Sequence, residues 1–234
     1  MGHGWEGAVL KLLRAKDFKL TVTGAEQVAP RYRRLSFADG GLLAEVGVHP
    51  AMWVRLWFEH DGKPHQRAYT LVDPDPAAGA FDIEFALHDG TASDWSERAQ
   101  PGDVIAATVY GTAFTAPDPA PDRLLLVGDA ASLPAINSLL DAFADTPATI
   151  WFETTADDAL PFRTREAHDL RLVPRGDGTA LEAEVRAALP ALLSPSTYLW
   201  ITCDARTTRA LTAFARKDLG VPKDRLHAMA YWRP

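Results

Sequence analysis

Several short stretches hold residue types that, at their spacing, can do chemistry. In Arg67-Ala68-Tyr69-Thr70, the alternation of a strand puts Arg67 and Tyr69 on one face and Thr70 on the other. A guanidinium grips a phosphate through paired hydrogen bonds, and a phenol offers a flat ring with a polar rim to a planar ligand. The string also fits an ordinary barrel strand that happens to carry an Arg and a Tyr. Further along, Leu87-His88-Asp89-Gly90-Thr91-Ala92-Ser93-Asp94-Trp95 leads from a strand into a helix predicted over 93–99, with Ser93 as its cap and Pro101-Gly102 as its stop. Small residues at a helix start leave backbone N–H groups that, with the helix dipole, favour an anion such as a diphosphate. A plain strand-to-helix turn explains the same string. A third stretch, Leu126-Val127-Gly128-Asp129, closes an apolar run ahead of a helix predicted over 133–144. There, Gly128 lets a ligand approach the backbone closely.

Two further places stand out. Met52-Trp53-Val54-Arg55-Leu56-Trp57-Phe58 alternates a core set (Met52, Val54, Leu56, Phe58) with an outward set in which Arg55 sits between two tryptophans. That arrangement suits cation–π contact worth roughly 0.5–2 kcal/mol. Cys203 is the one cysteine, so no intrachain disulfide and no cysteine-cluster metal site is expected.

The elements that must position these residues fall into two kinds. Short alternating runs at 20–23, 32–37, 52–58, 66–72 and 81–87, divided by Gly, Pro and Asp, predict an antiparallel barrel. After residue 122 the pattern changes. Apolar runs at 124–127, 148–152, 170–173, 198–202 and 226–229 alternate with helices predicted over 133–144, 179–189 and 205–217, which predicts a parallel sheet with helices on both faces. Between the two lies 115–122, with three prolines in eight residues, the composition of a stiff linker. The expected division is a barrel domain at 1–116, a linker at 117–122 and an α/β domain at 123–234.

The chain has 234 residues, 24 Lys plus Arg against 31 Asp plus Glu, and a net charge of −7, which argues against nucleic acid as a partner. The hydrophobic share of 47% fits a folded globular chain. No apolar run is long enough for a membrane span and the opening lacks a signal-peptide pattern, so a cytoplasmic protein without stable membrane insertion is expected. One stretch runs against the net charge: Lys11, Arg14, Lys16, Lys19, Arg31, Arg33 and Arg34 face only Asp17 and Glu26. It reads either as an attraction for an anionic ligand or as the solvated face of the first strands.

Taken in order, R-x-Y-T at 67–70, F-x-L-H-x-G-x-A-S-x-W ending at Trp95, A-x-P-G-D ending at Asp103, Gly128-Asp129 with Leu133-Pro134-Ala135-Ile136, and Tyr231-Trp232-Arg233 resemble the siderophore-interacting proteins. These are flavoenzymes related to the ferredoxin–NADP reductases, and the resemblance runs over nearly the whole chain. It implies an N-terminal six-stranded antiparallel barrel that binds FAD and a C-terminal parallel α/β domain of nucleotide-binding type. The FAD set implied is Arg67, Ala68, Tyr69, Thr70, His88, Gly90, Thr91, Ala92, Ser93 and Trp95. Gly128, Asp129, Leu133, Pro134, Cys203 and Asp204 would meet NADH or NADPH, while Cys203 equally suits a buried small hydrophobe.

Arg55 and Arg233 would face a ferric siderophore, and the surface position of Arg55 also suits a structural role. The implied activity is FAD-dependent reduction of a ferric siderophore to the ferrous form, releasing iron, with electrons from NAD(P)H or a ferredoxin-type donor. No protein nucleophile, catalytic acid or resident metal is implied. The alternatives are a flavin reductase of this fold with another acceptor and a flavin- or siderophore-binding protein without turnover. The chain departs from the family where a second Arg often follows the Thr (here Val72-Asp73), a loss that Lys63 or Arg98 would make good. It departs again at Ala130-Ala131-Ser132, where the family has E-T-A, and at Cys203-Asp204, where it has G-E. Arg163, Arg165, Arg171 and Arg175 lie in the region where a nucleotide 2′-phosphate would be read.

Overall fold

A computed structural model describes residues 16–155, 159–176 and 178–233. The chain divides into two compact units, one ending at Phe114 and the other beginning at Thr115. The opening stretch with Lys11 and Arg14 lies outside the described residues.

In unit 1, alternating side chains build a closed antiparallel barrel. Its strands are β1 (Lys16–Ala29), β2 (Tyr32–Ala38), β3 (Trp53–His60), β4 (Lys63–Asp75), β5 (Ala80–Ala86) and β6 (Val104–Val109). They run in the order β1-β2-β5-β4-β3-β6, and β1 pairs with both β2 and β6, which removes the free edges. Inward residues such as Leu20, Leu35, Phe37, Val54, Leu56, Ile83 and Ile105 fill it. The short helix α1 (Leu42–Val46) and the strand β6 have no counterpart among the runs picked out by alternation. α2 (Thr91–Arg98) starts at Thr91 with Gly90 as its N-cap, two residues earlier than expected. Ser93 therefore sits inside the first turn, where its Oγ accepts the His88 N–H at 3.1 Å.

The basic stretch is spent on structure. Lys16 pairs with Glu45 at 3.1 Å, Arg31 reaches the Leu87 carbonyl, Arg33 donates to the Ser96 carbonyl at 2.9 Å, and Arg34 grips the buried Glu84. Four cations of the stretch, Lys16, Arg31, Arg33 and Arg34, thus tie parts of the barrel together.

Unit 2 is a parallel sheet of β7 (Arg123–Asp129), β8 (Ala148–Thr154), β9 (His168–Pro174), β10 (Thr197–Thr202) and β11 (Leu226–Ala228), ordered β11-β10-β7-β8-β9. Its fully apolar central strands are buried on both sides, as the sequence pattern requires. α4 (Ala180–Leu192) and α5 (Ala205–Ala213) pack Leu181, Val185, Leu189 and Leu211 against Leu125, Val127, Leu199 and Ile201. α3 (Leu133–Ala142) lies on the Gly128 side of β7. After α5 the chain loosens into a π-helical turn over Phe214–Asp218, where a continuous helix to 217 was expected. No described helix is long and apolar enough to cross a membrane.

Candidate functional site

At one end of the barrel, the end of β3 meets the start of α2, and β4 runs antiparallel beside β3. Tyr69 and Arg67 pair across the ladder with the core residues Val54 and Leu56, so both side chains belong to the inner face near the barrel mouth. The Tyr69 ring lies 4.5 Å from Phe85 and 6.3 Å from Phe58, centroid to centroid, and stays partly exposed. Burial, relieved in part by Arg67, pushes its phenol well above the usual range. Arg67 is exposed and donates only to its neighbour's carbonyl, Gln66 O, at 2.9 Å.

Trp95 packs 5.7 Å from Phe58 and 6.4 Å from Phe85. It thus works as the anchor that holds α2 across the barrel end. The β3–β4 hairpin then lies against the first turn of α2: Thr91 Oγ1 and His60 Nδ1 are 2.7 Å apart, and Lys63 pairs with His60 across the hairpin. His65 stands 6.1 Å from His60, ring to ring. His60 and His65 were not singled out from the sequence, since a histidine in a turn carries no signal by itself. Arg98 lies in the last turn of α2, a helix length from Gly90, and Lys63 stands opposite His60 in the hairpin register.

Two features of unit 1 point to a ligand. No side chain caps α2, so the N–H groups of its first turn lack a capping acceptor. Further along β4, opposite Trp53, Thr70 is 5% exposed, and its Oγ1 is buried with no hydrogen-bond partner among the described residues. A hydroxyl left in that state costs about 1–3 kcal/mol unless something else meets it. The residues present therefore fit a planar, phosphate-bearing group such as FAD. His88 and Ala68 are exposed nearby in sequence, and Ala92 and Ser93 are buried under the turn.

In unit 2 the residues expected to meet a nicotinamide are mostly occupied by their own fold. A Cβ on Gly128 would collide with Ser132 Oγ and come within 2.7 Å of Ile136 Cδ1 and 3.2 Å of the Thr202 carbonyl. The glycine thus serves close packing of α3 on β7, a use its reading as a place for ligand approach did not foresee. Leu133 and Pro134 are buried at the start of that helix. Asp204 caps α5, accepting from the backbone N–H of Arg206 at 2.8 Å and of Thr207 at 3.1 Å. Burial works to raise its carboxyl, but these bonds outweigh it and hold it below the usual range. Cys203 is 1% exposed among Ile201, Leu211 and Ala215. Burial pushes its thiol up to about 12, so it is a core residue and not a reactive one.

Asp129 is the exception in kind. It is 5% exposed at the end of β7, accepts from Ala131 N at 3.0 Å, and takes a 2.6 Å bond from the indole of Trp232. Burial raises its carboxyl to about 6 against the pull of both bonds. Around it stand Glu153, its register partner on β8, and Arg175, which lies 3.6 Å from Glu153 and 4.9 Å from the Trp232 ring centre. Trp232 escaped attention as a site residue because its contact depends on a fold that joins positions far apart in the chain.

The remaining arginines sort plainly. Arg163 and Arg165 share Asp141 at 2.7 and 2.9 Å, and Arg171 pairs with Asp169 at 2.7 Å. Two arginines thus share one carboxylate and the third has its own, so one net positive charge remains among them. Arg55 lies 4.4 Å over the Trp53 ring and donates to the Tyr110 carbonyl at 2.8 Å, which ties β3 to the end of β6. Arg233 is exposed in unit 2. Among the described residues no group of three His, Cys, Asp or Glu side chains is placed to hold a metal.

Residues 44–109 match the model of the siderophore-interacting FAD-binding domain, and residues 121–234 match that of the siderophore-interacting proteins. The chain belongs to the siderophore-interacting protein family. It is 34% identical over 244 residues to the mycobactin import ATP-binding/permease protein IrtA of Mycolicibacterium thermoresistibile, an alignment covering 99% of this chain and 26% of that protein. The chain spans about a quarter of the length of the curated relatives it matches first. The ferric acinetobactin reductase of Acinetobacter baumannii is 23% identical over 95% of this chain and 82% of its own length. Among solved structures, a siderophore-interacting protein from Acinetobacter baumannii superposes with a TM-score of 0.81 at 22% identity, covering 93% of this chain and 91% of that one. That likeness is one of fold.

Proposed function

We infer that the chain is an FAD-dependent ferric-siderophore reductase, taking electrons from a reduced nicotinamide nucleotide or a ferredoxin-type protein in the cytoplasm. The observations that support the reading are the uncapped start of α2 and the buried hydroxyl of Thr70, which has no hydrogen-bond partner among the described residues, in a chain of the siderophore-interacting family. When bound, FAD supplies the conversion of a two-electron hydride equivalent into single-electron transfers. The protein's share is positioning. The Thr70 hydroxyl would donate to or accept from the flavin ring, and Tyr69 would offer its ring. Arg67 and Lys63, with the first-turn N–H groups of Thr91, Ala92 and Ser93, would hold the diphosphate. Neither acid nor nucleophile is required of the chain. An Fe(III) centre in hard oxygen donors loses affinity for them on reduction, and iron leaves. Arg55, or Arg233, would meet the negative charge of the chelate.

The test is anaerobic and optical. Purified protein should bind FAD and show a flavin spectrum that NADH, NADPH or reduced ferredoxin bleaches and that a ferric chelate restores. Thr70→Val keeps the shape and removes the hydroxyl; it should weaken FAD binding by roughly two- to tenfold while leaving apo stability equal or higher. A protein that binds no FAD would end this reading. Bound FAD that all three donors fail to bleach would leave a binding protein without turnover, and bleached FAD that only quinone or ferredoxin reoxidises would leave a reductase with another acceptor.

A further inference from the structure

Positive charge gathers where α5 runs into its π-helical turn. Arg209, Thr212 and Ala213 of α5, with Arg216 and Lys217 of the turn, line a cleft of about 610 Å³. Its remaining wall is Ala228 of the edge strand β11. The spacing i, i+3, i+4, i+7, i+8 is that of one helix face. The turn is wide, with Leu219 N–H reaching back five residues to the Phe214 carbonyl at 3.1 Å. Arg209, Arg216 and Lys217 are exposed, and among the described residues none of them has an ion pair or a side-chain hydrogen bond. Asp218 follows Lys217 without pairing to it. Five other arginines of unit 2, Arg163, Arg165, Arg171, Arg175 and Arg186, each stand between 2.7 and 3.6 Å from a carboxylate. In a chain with 31 acidic residues, three cations have thus converged on one cleft with no carboxylate among its lining. They repel one another, and an anion between them would relieve that repulsion. β11 adds a backbone donor. N–H groups along an edge strand point alternately toward and away from the neighbouring strand; that of Met229 goes to the Ile201 carbonyl of β10, so that of Ala228 faces the free edge. Thr212 is already occupied, its hydroxyl donating to the Thr208 carbonyl at 2.6 Å.

We propose that the cleft between α5 and β11 is a binding site for a phosphate-bearing ligand, held by Arg209, Arg216 and Lys217. A guanidinium presents paired N–H donors that match two phosphate oxygens, and an ammonium supplies a compact charge beside them. The volume is in the range of small-molecule sites, so it admits an organic body as well as the phosphate. A soluble organic phosphate and the headgroup of an acidic phospholipid share this chemistry. None of the lining residues is among those proposed to meet FAD or the donor nucleotide.

The experiment uses the whole chain and two probes at low salt. Inorganic pyrophosphate is titrated calorimetrically, and co-sedimentation is measured with phosphatidylcholine vesicles, with and without phosphatidylglycerol. Wild-type protein should bind pyrophosphate, the phosphatidylglycerol vesicles, or both. The double variant Arg209→Gln with Arg216→Gln should weaken that binding by about tenfold or more, because it removes two charge-assisted contacts. Changing both arginines to Lys keeps the charge and loses the forks, so the loss should be smaller. Lys223→Gln removes an exposed cation outside the cleft and should alter binding by less than about twofold. In amide NMR spectra of the wild type, the bound probe should move the signals of 209–217 and of Ala228. All the changed side chains are exposed, and the double glutamine variant should melt at the wild-type temperature or higher, since it relieves repulsion. Pyrophosphate binding without vesicle binding assigns a soluble ligand, and vesicle binding in preference assigns a headgroup. Neither probe binding to the wild type overturns the site, as does a loss in Lys223→Gln equal to that in the double variant, or displacement of the probe by FAD or NADP+. FAD binding and its bleaching should be the same in every variant, so the outcome leaves the reductase reading where it stands.

Discussion

Asp129 is a carboxylate taken out of water at the end of a buried strand, and two hydrogen bonds only partly make up for the lost hydration. With its carboxyl raised to about 6 from a value near 4 in the open chain, ionisation costs the folded state. The sign follows from linkage: the contribution to stability is whole below about pH 4 and is lost as pH rises through about 6. Asp129→Asn keeps the size and an acceptor for the Trp232 indole and cannot ionise. Thermal melts across pH 3.5–8 should therefore show the wild type losing ground to this variant between about pH 4 and 6, by up to about 3 kcal/mol, with a constant gap above. A flat difference across that range would mean that Asp129 is solvated in the folded protein.

The element that matters most to unit 2 is the join between β7 and α3. Gly128 sits where the helix start closes on the strand, with Ser132 Oγ and Ile136 in the space a methyl group would need and the backbone of β10 just beyond. Ser132 is itself locked, accepting from Asp129 N and donating to the Asp129 carbonyl at 3.0 Å each. Gly128→Ala should cost about 2–3 kcal/mol in chemical denaturation, because neither a strand backbone nor a buried helix moves cheaply. The same change should leave FAD binding by unit 1 unaltered. In the barrel the comparable join is Trp95 of α2 against Phe58 of β3 and Phe85 of β5, with the helix start held to the end of β3 by the Thr91–His60 contact.

At the scale of the whole chain, the features proposed to face FAD lie in unit 1 and the Trp232–Asp129 contact lies in unit 2. Hydrogen exchange should separate them. Added FAD is expected to protect amides at 67–70 and 90–95 and to leave 128–133 and 203–206 unchanged; nucleotide is expected to act on the second pair of segments. Protection by FAD confined to unit 2 would invert the assignment. The net charge of −7 sets a weak general repulsion for an anionic chelate. Local cations, not the overall field, must then attract it. Of the basic stretch near the start of β1 and β2, Lys16, Arg33 and Arg34 are engaged by Glu45, the Ser96 carbonyl and Glu84.

Much of the architecture was open to reading in the linear chain. Period-two runs gave the barrel strands, continuous apolar runs gave the buried parallel sheet, and the ordered motifs from Arg67 to Arg233 pointed to the family, because alternation, burial and motif order are local properties. Helix ends were less readable: Ser93 is a good cap by type, yet Gly90 takes the position because its positive φ of 146° suits glycine. The working of the second site was not readable at all. Gly128, Asp204, Cys203, Leu133 and Pro134 carry the residue types of a ligand site, and the fold uses them for packing and capping. Which use prevails depends on neighbours that sequence order does not supply. Trp232 and Asp129 meet across 103 positions, and His60 meets Thr91 across 31. Residue type decided what each group can do; only the tertiary structure, by bringing distant groups within hydrogen-bonding range and excluding water around them, decided which partner each one has.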